Sequence, residues 1–195
     1  MLKSIASGLT VLLFAGPASG QSQDQAIAAA VLPLPAALQK SAAVVRIDAD
    51  GQPQMLRSGT NGMVCIADKP GDAQFDVRCY RESFIHVVYR TFQLGANVSS
   101  PKVGAEIAAG KLKLSNEPTA GFRCLGPASS YDTATNSVTG EGHCWESVHF
   151  PFRTAREVGF PDMSEVPENL RQTVPYVMAS GTYWSHVMIE HPSSK

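Results

Sequence analysis

Charge is scarce in this chain. Only 17% of its 195 residues are Asp, Glu, Lys or Arg, against about 25% in an average soluble domain. The formal charge is -1, which excludes a polycation that holds nucleic acid or anionic membrane by bulk electrostatics. Arg and aromatic residues nowhere interleave in a basic stripe, so no nucleic-acid partner is expected. Also missing are a Cys-x-x-Cys pair, a Cys-x-x-Cys-His haem site, a Gly-x-Ser-x-Gly elbow and a phosphate-cradling glycine loop. Thioredoxin-like redox chemistry, zinc ribbons, α/β-hydrolases and nucleotide binding thereby lose their signatures. Gly and Pro follow no period, no repeat or linker divides the chain, and 44% of it is hydrophobic. That is the composition of a folded globular protein.

What is present begins with an address. Met1-Leu2-Lys3 is a short basic start, Ile5 to Ala15 is apolar, and Pro17 precedes the small residues Ala18-Ser19-Gly20. A signal peptidase reads that pattern. The apolar run is too short for a membrane span, which needs ~20 residues, and no later run supplies one. Residues 1–20 are therefore read as a signal peptide and 21–195 as one exported globular domain, periplasmic or secreted. Its 175 residues carry a formal charge of -2, because Lys3 leaves with the signal. A chain of that size buries enough surface to fold as a single unit.

Four cysteines in an oxidising compartment point to two disulfides, for which three pairings exist. Local pairing, Cys65 with Cys79 and Cys124 with Cys144, is favoured because each loop holds turn residues: Lys69-Pro70-Gly71-Asp72 in one, Gly140-Glu141-Gly142 in the other. Each such bridge is worth about 3 kcal/mol in the chain-entropy model.

Period and punctuation predict the elements. Residues 21–26 read as loose, and Pro33 and Pro35 limit an Ala/Leu-rich stretch to a short helix from Pro35 to Lys40. Residues 43–48 read as a strand, Asp50-Gly51 as a hairpin turn and 54–57 as the return. With Met63 to Ile66 as a third strand, a meander is expected. Tyr80, Phe84, Val87, Val88 and Phe92 recur at helical steps, predicting a helix over 80–93. A second short helix is expected over 103–112. Strands are expected at 122–125 and 144–149, and a pair of them between 174 and 189, broken at Ser180-Gly181. The whole reads as an α+β domain dominated by antiparallel sheet, with a few short helices.

Two stretches carry a resemblance. Leu56-Arg57-Ser58-Gly59-Thr60-Asn61-Gly62-Met63-Val64-Cys65, followed by Pro70-Gly71 and Cys79, is similar to the opening signature of a group of uncharacterised secreted bacterial proteins. Pro175-Tyr176-Val177-Met178-Ala179-Ser180-Gly181-Thr182, running on to His186-Val187-Met188-Ile189, resembles that group's closing segment. Met63 stands where an aromatic residue is usual, and Tyr183 where proline is usual. The resemblance implies export and a shared fold, and no reaction.

The five histidines raise the question of a metal. His143 and His149 share a strand face, but six residues at ~3.3 Å set them about 20 Å apart, too far to share one ion. His186 and His191 would point to opposite sides of a strand. No metal site and no cofactor are expected. His186 is the histidine of interest, because its strand is apolar on both faces and a buried imidazole needs a hydrogen-bond partner. Either it bonds a backbone carbonyl in the core, or it is the polar contact of a ligand pocket with Trp184 as a wall and Thr60 and Asn61 nearby. Thr60-Asn61-Gly62 is equally explained as a turn. Two classes of function stand. The leading one is a non-catalytic exported domain of unassigned role that binds a small molecule or an envelope protein. The other is a small secreted hydrolase whose site assembles in the fold, around His186 or a pair of carboxylates.

Overall fold

A computed structural model describes residues 21–97 and 99–190. The signal-peptide reading of residues 1–20, and His191, lie outside them. The chain opens with helices α1 (Gln23–Ala30) and α2 (Ala36–Gln39), followed by strands β1 (Ala43–Ile47), β2 (Pro53–Arg57), β3 (Met63–Ile66) and β4 (Gln74–Arg81). Helices α3 (Glu82–Gln93) and α4 (Pro101–Ala108) come next, then β5 (Thr119–Pro127). A small ribbon, β6 (Tyr131–Asp132) and β7 (Ser137–Val138), leads to β8 (His143–His149), α5 (Ala155–Val158), β9 (Tyr176–Met178) and β10 (His186–Glu190).

Eight strands form one sheet in the order β2-β1-β3-β4-β5-β8-β10-β9. Every pairing in it is antiparallel except β1 with β3. The expected α+β class and antiparallel sheet are what the chain adopts. Both cysteine pairs are disulfides, Cys65–Cys79 and Cys124–Cys144. Each staples directly opposed residues of neighbouring strands, β3 to β4 and β5 to β8.

The sheet is covered on both faces. Phe75, Val77 and Cys79 alternate along β4 toward α1, where Ala26, Ala29 and Ala30 bring the helix backbone close. The opposite face of β4 carries Asp76, Arg78 and Tyr80. There α3 packs Phe84, Val87 and Val88 over Val45, Ile66 and Tyr80, with Val103 of α4 beside them. The three- and four-residue spacing of these apolar residues is the stripe a half-buried helix needs. α3 follows β4 with no loop, so it folds straight back onto Tyr80 and covers the β1-β3-β4 part of that face.

Four expectations are corrected. Residues 21–26 are ordered: Ser22 and Gln25 form a capping box that starts α1. The first three strands are no meander, because β1 lies between β2 and β3. The connection from β2 passes under the start of β1, with Thr60 N–H donating to Ser41 O. Gly59 permits the crossing, since a Cβ there would lie 2.1 Å from Ala43 N. Tyr80 belongs to β4 and not to the helix, because pairing with β3 and β5 extends the strand to Arg81. The closing strands are shorter than expected. Residues 179–185 make tight turns between them, with Ala179 at a φ of 52°.

Candidate functional site

Beside α3 the same face of the sheet carries a cleft, and the register sorts its side chains into three rows. Thr119, His149, His186 and Met178 face one another across β5, β8, β10 and β9. The next row holds Tyr80, Gly121, Ser147, Met188 and Tyr176. The third holds Arg78, Arg123, Trp145 and Glu190. Above these rows lies a cleft of about 380 Å3, with Trp184 as a side wall. Gly121 keeps its floor low: a Cβ there would come within 2.8 Å of both Ser147 Oγ and Tyr80 Cε1.

The inner end is histidine. His149 is 1% exposed and His186 7%. Their rings stack at 4.8 Å, and Trp184 meets His149 edge-on at 4.7 Å. His186 donates its Nδ1–H to Trp184 O at 2.7 Å. A carbonyl only accepts, so the neutral ring carries its lone pair on Nε2. Burial depresses the His186 pKa against the raising effect of that bond. Burial, with the neighbouring His186 adding to it, holds the His149 pKa well below its ordinary value. Both rings are therefore neutral near pH 7. His149 Nε2 lies 3.3 Å from Ser147 Oγ, which in turn donates to Gly121 O at 3.3 Å. His149 Nδ1 and Thr119 Oγ1 are buried with no partner among the described residues.

The outer end is charged. Arg123 donates Nε–H and Nη2–H to the two Asp76 oxygens, each at 2.8 Å, and Arg78 Nη2 donates to Asp76 as well. Burial pushes the Asp76 pKa up, but hydrogen bonding by Arg123 and the charges of both arginines outweigh it and hold it below its ordinary value. Arg123 lies over the Trp145 ring, 5.3 Å from its centroid, and Arg78 over Phe92 at 5.5 Å. Such stacking fixes the guanidinium planes. Glu190, the single carboxylate among the described residues that line this cleft, accepts from Tyr176 Oη at 2.7 Å.

Of the expected site residues, His186 and Trp184 lie together in the cleft. One His186 ring nitrogen bonds a backbone carbonyl, and the ring lines the cleft. Asn61 and Thr60 do not line it. The Asn61 amide donates to Leu38 O at 2.8 Å and its oxygen accepts from Met63 N–H at 3.0 Å, so this side chain pins the loop before β3. His149, Ser147, Tyr80, Arg78 and Arg123 had no binding role in the sequence expectations, where His149 figured only as an excluded metal partner for His143 and Tyr80 only in a helical stripe. A signal for two of them was present: Gln74 to Tyr80 alternates polar and apolar, which places Asp76, Arg78 and Tyr80 on one strand face. The meeting of His149 with His186 depends on β8 pairing β10, which no local pattern encodes. Among the described residues no group of three or more His, Cys, Asp or Glu is placed to hold a metal ion.

The class these features define is a disulfide-stapled α+β domain with a sheet-face cleft, histidine at one end and arginine at the other. No family model, curated protein or solved structure matches the chain.

Proposed function

We propose that the protein is an exported, non-catalytic binding domain whose cleft holds a small molecule, and that it belongs with the secreted bacterial proteins its end motifs resemble. The observation that carries the binding reading is the buried His149, its Nδ1 without a partner among the described residues, in a cleft that His186, Trp184 and Trp145 also line. An unmade hydrogen bond at a buried group costs about 1–3 kcal/mol. Concave shape, aromatic walls and a few convergent polar groups are the usual composition of a ligand site. Export is supported by the amino-terminal pattern and by two disulfides, which persist in oxidising compartments. No helix among the described residues is long and apolar enough to cross a membrane.

The test is a thermal-shift screen of polar aromatic metabolites, read together with tryptophan emission. Trp145 and Trp184 are the only tryptophans and both line the cleft. A ligand that raises the melting temperature by mass action is expected to shift their emission too. Stabilising ligands that leave both indoles unaffected would place binding elsewhere and overturn this reading.

A hydrolase is the second reading, favoured by the Ser147 Oγ to His149 Nε2 contact of 3.3 Å. A serine nucleophile and its base need that approach. His149 Nδ1, where a triad places an orienting carboxylate, has no partner among the described residues. A fluorophosphonate probe separates the two readings. Covalent labelling of Ser147, seen by peptide mass, supports the hydrolase; an unlabelled folded protein supports the binding domain.

A further inference from the structure

Resting on the cleft as a binding site, we infer that its ligand is an elongated, flat aromatic anion. A carboxylate or similar acid group lies at Arg78 and Arg123, and a hydrogen-bond donor reaches His186 at the other end. The first argument is the donor and acceptor count. Asp76 already takes Nε and Nη2 of Arg123 and Nη2 of Arg78. No described residue accepts from Arg123 Nη1 or from Arg78 Nε and Nη1. None of these atoms is among the buried unpartnered ones, so they remain accessible. Two cations thus share one carboxylate and keep spare N–H groups, a surplus that suits an acid with paired oxygens. Glu190 lies two strands from Arg123 in their row, with Trp145 of β8 between them, and accepts from Tyr176 Oη.

The opposite end has the opposite need. His186 Nε2 carries a lone pair, because Nδ1–H is committed to Trp184 O. It makes no hydrogen bond with a described residue and is likewise not sealed from solvent. A ligand hydroxyl or N–H satisfies it, and a second acceptor does not.

Distance and shape complete the argument. Arg123 and Thr119, which mark the outer and inner rows, are four residues apart on β5, or about 13 Å at ~3.3 Å per residue. Between them the cleft offers Tyr80, Trp145, Trp184 and Tyr176 with the two methionines Met178 and Met188. These are surfaces on which a flat ring system stacks.

The probe set is 6-hydroxy-2-naphthoic acid, its methyl ester, 2-naphthoic acid and the matching 6-hydroxy-2-naphthylmethylamine, titrated against the oxidised full domain by tryptophan emission. The hydroxy acid is expected to bind at least ~10-fold more tightly than the ester, the usual worth of a charge-assisted pair. Removing the hydroxyl should weaken binding several-fold, and Arg123→Gln should abolish the preference of acid over ester while ester binding persists. An ester that binds as well as the acid, an amine that binds best, or an acid preference unchanged in Arg123→Gln overturns the ligand class and leaves the binding cleft standing. No emission change with any of the four up to about 5 mM, an affinity weaker than the millimolar range, likewise overturns the ligand class, while the thermal-shift screen decides on the cleft itself.

Discussion

His149 and His186 are neutral in the fold because water has been taken from them. In the unfolded chain both titrate near 6.5. The folded state therefore resists protons that the unfolded state accepts, and the stability these groups contribute is present above about pH 6.5 and lost as pH falls below it. Asp68 works in the other direction. Burial raises its pKa to about 6, with Asp72 and Asp76 adding repulsion and a backbone N–H of Asp76 opposing it. Its contribution is full below the unfolded carboxylate range near 3.9 and is lost as pH rises through about 6. Thermal melts between pH 7.5 and pH 5 are expected to show a falling melting temperature, and Asp68→Asn is expected to make the fall steeper by removing the opposing group. A flat profile in the variant would mean that the two imidazoles are not held neutral. Gly121 supplies a second test. Its alanine variant places a methyl 2.8 Å from Tyr80 Cε1 and 3.1 Å from His149 Nε2. The expected loss is about 1–3 kcal/mol in urea unfolding, the range for overpacking.

Among the elements, β4 explains both what was legible and what was not. The helix after it was readable, because Phe84, Val87 and Val88 repeat at helical steps, and α3 covers those residues as expected. The strand itself was obscured, since Tyr80 fits the helical stripe as its first member and the strand face equally well. Pairing on both sides decided in favour of the strand. The hairpin at Asp50-Gly51 was legible from its turn residues alone, and Gly51 has the φ of 76° that such a turn requires. The parallel seating of β3 beside β1 was not, because it depends on where the chain crosses beneath β1 rather than on any alternation. The cysteines were read correctly because local loops and turn residues happen to coincide with adjacent strands. Replacing Cys124 and Cys144 together by alanine opens a loop with a sequence separation of 20. It should cost about 3 kcal/mol of stability. The same staple joins β5 to β8, whose rows supply Arg123, Trp145, Ser147 and His149, so the double variant should also bind the naphthoic acid more weakly. Unchanged affinity at lowered stability would show that the rows keep their register without it.

For the molecule as a whole, the cleft is a consequence of partial coverage. On one face of the eight-stranded sheet α3 packs over β1, β3 and β4 and reaches His149 of β8 through Phe84, while the outer rows of β5, β8, β10 and β9 line the cleft. α5 packs the reverse side of β9 and β10 through Ala155, Val177 and Val187, so those strands are firm although one face is open. Composition could place the chain among folded globular domains. It could not place a cleft, because His149, His186, Arg78 and Arg123 come from four strands distributed over more than half of the sequence. The most direct test of a binding role is a crystallographic fragment screen on the oxidised domain. Fragments are expected to collect between His186 and Arg123, with acid groups turned toward Arg78 and Arg123. A cleft that holds only water while fragments collect elsewhere would contradict it.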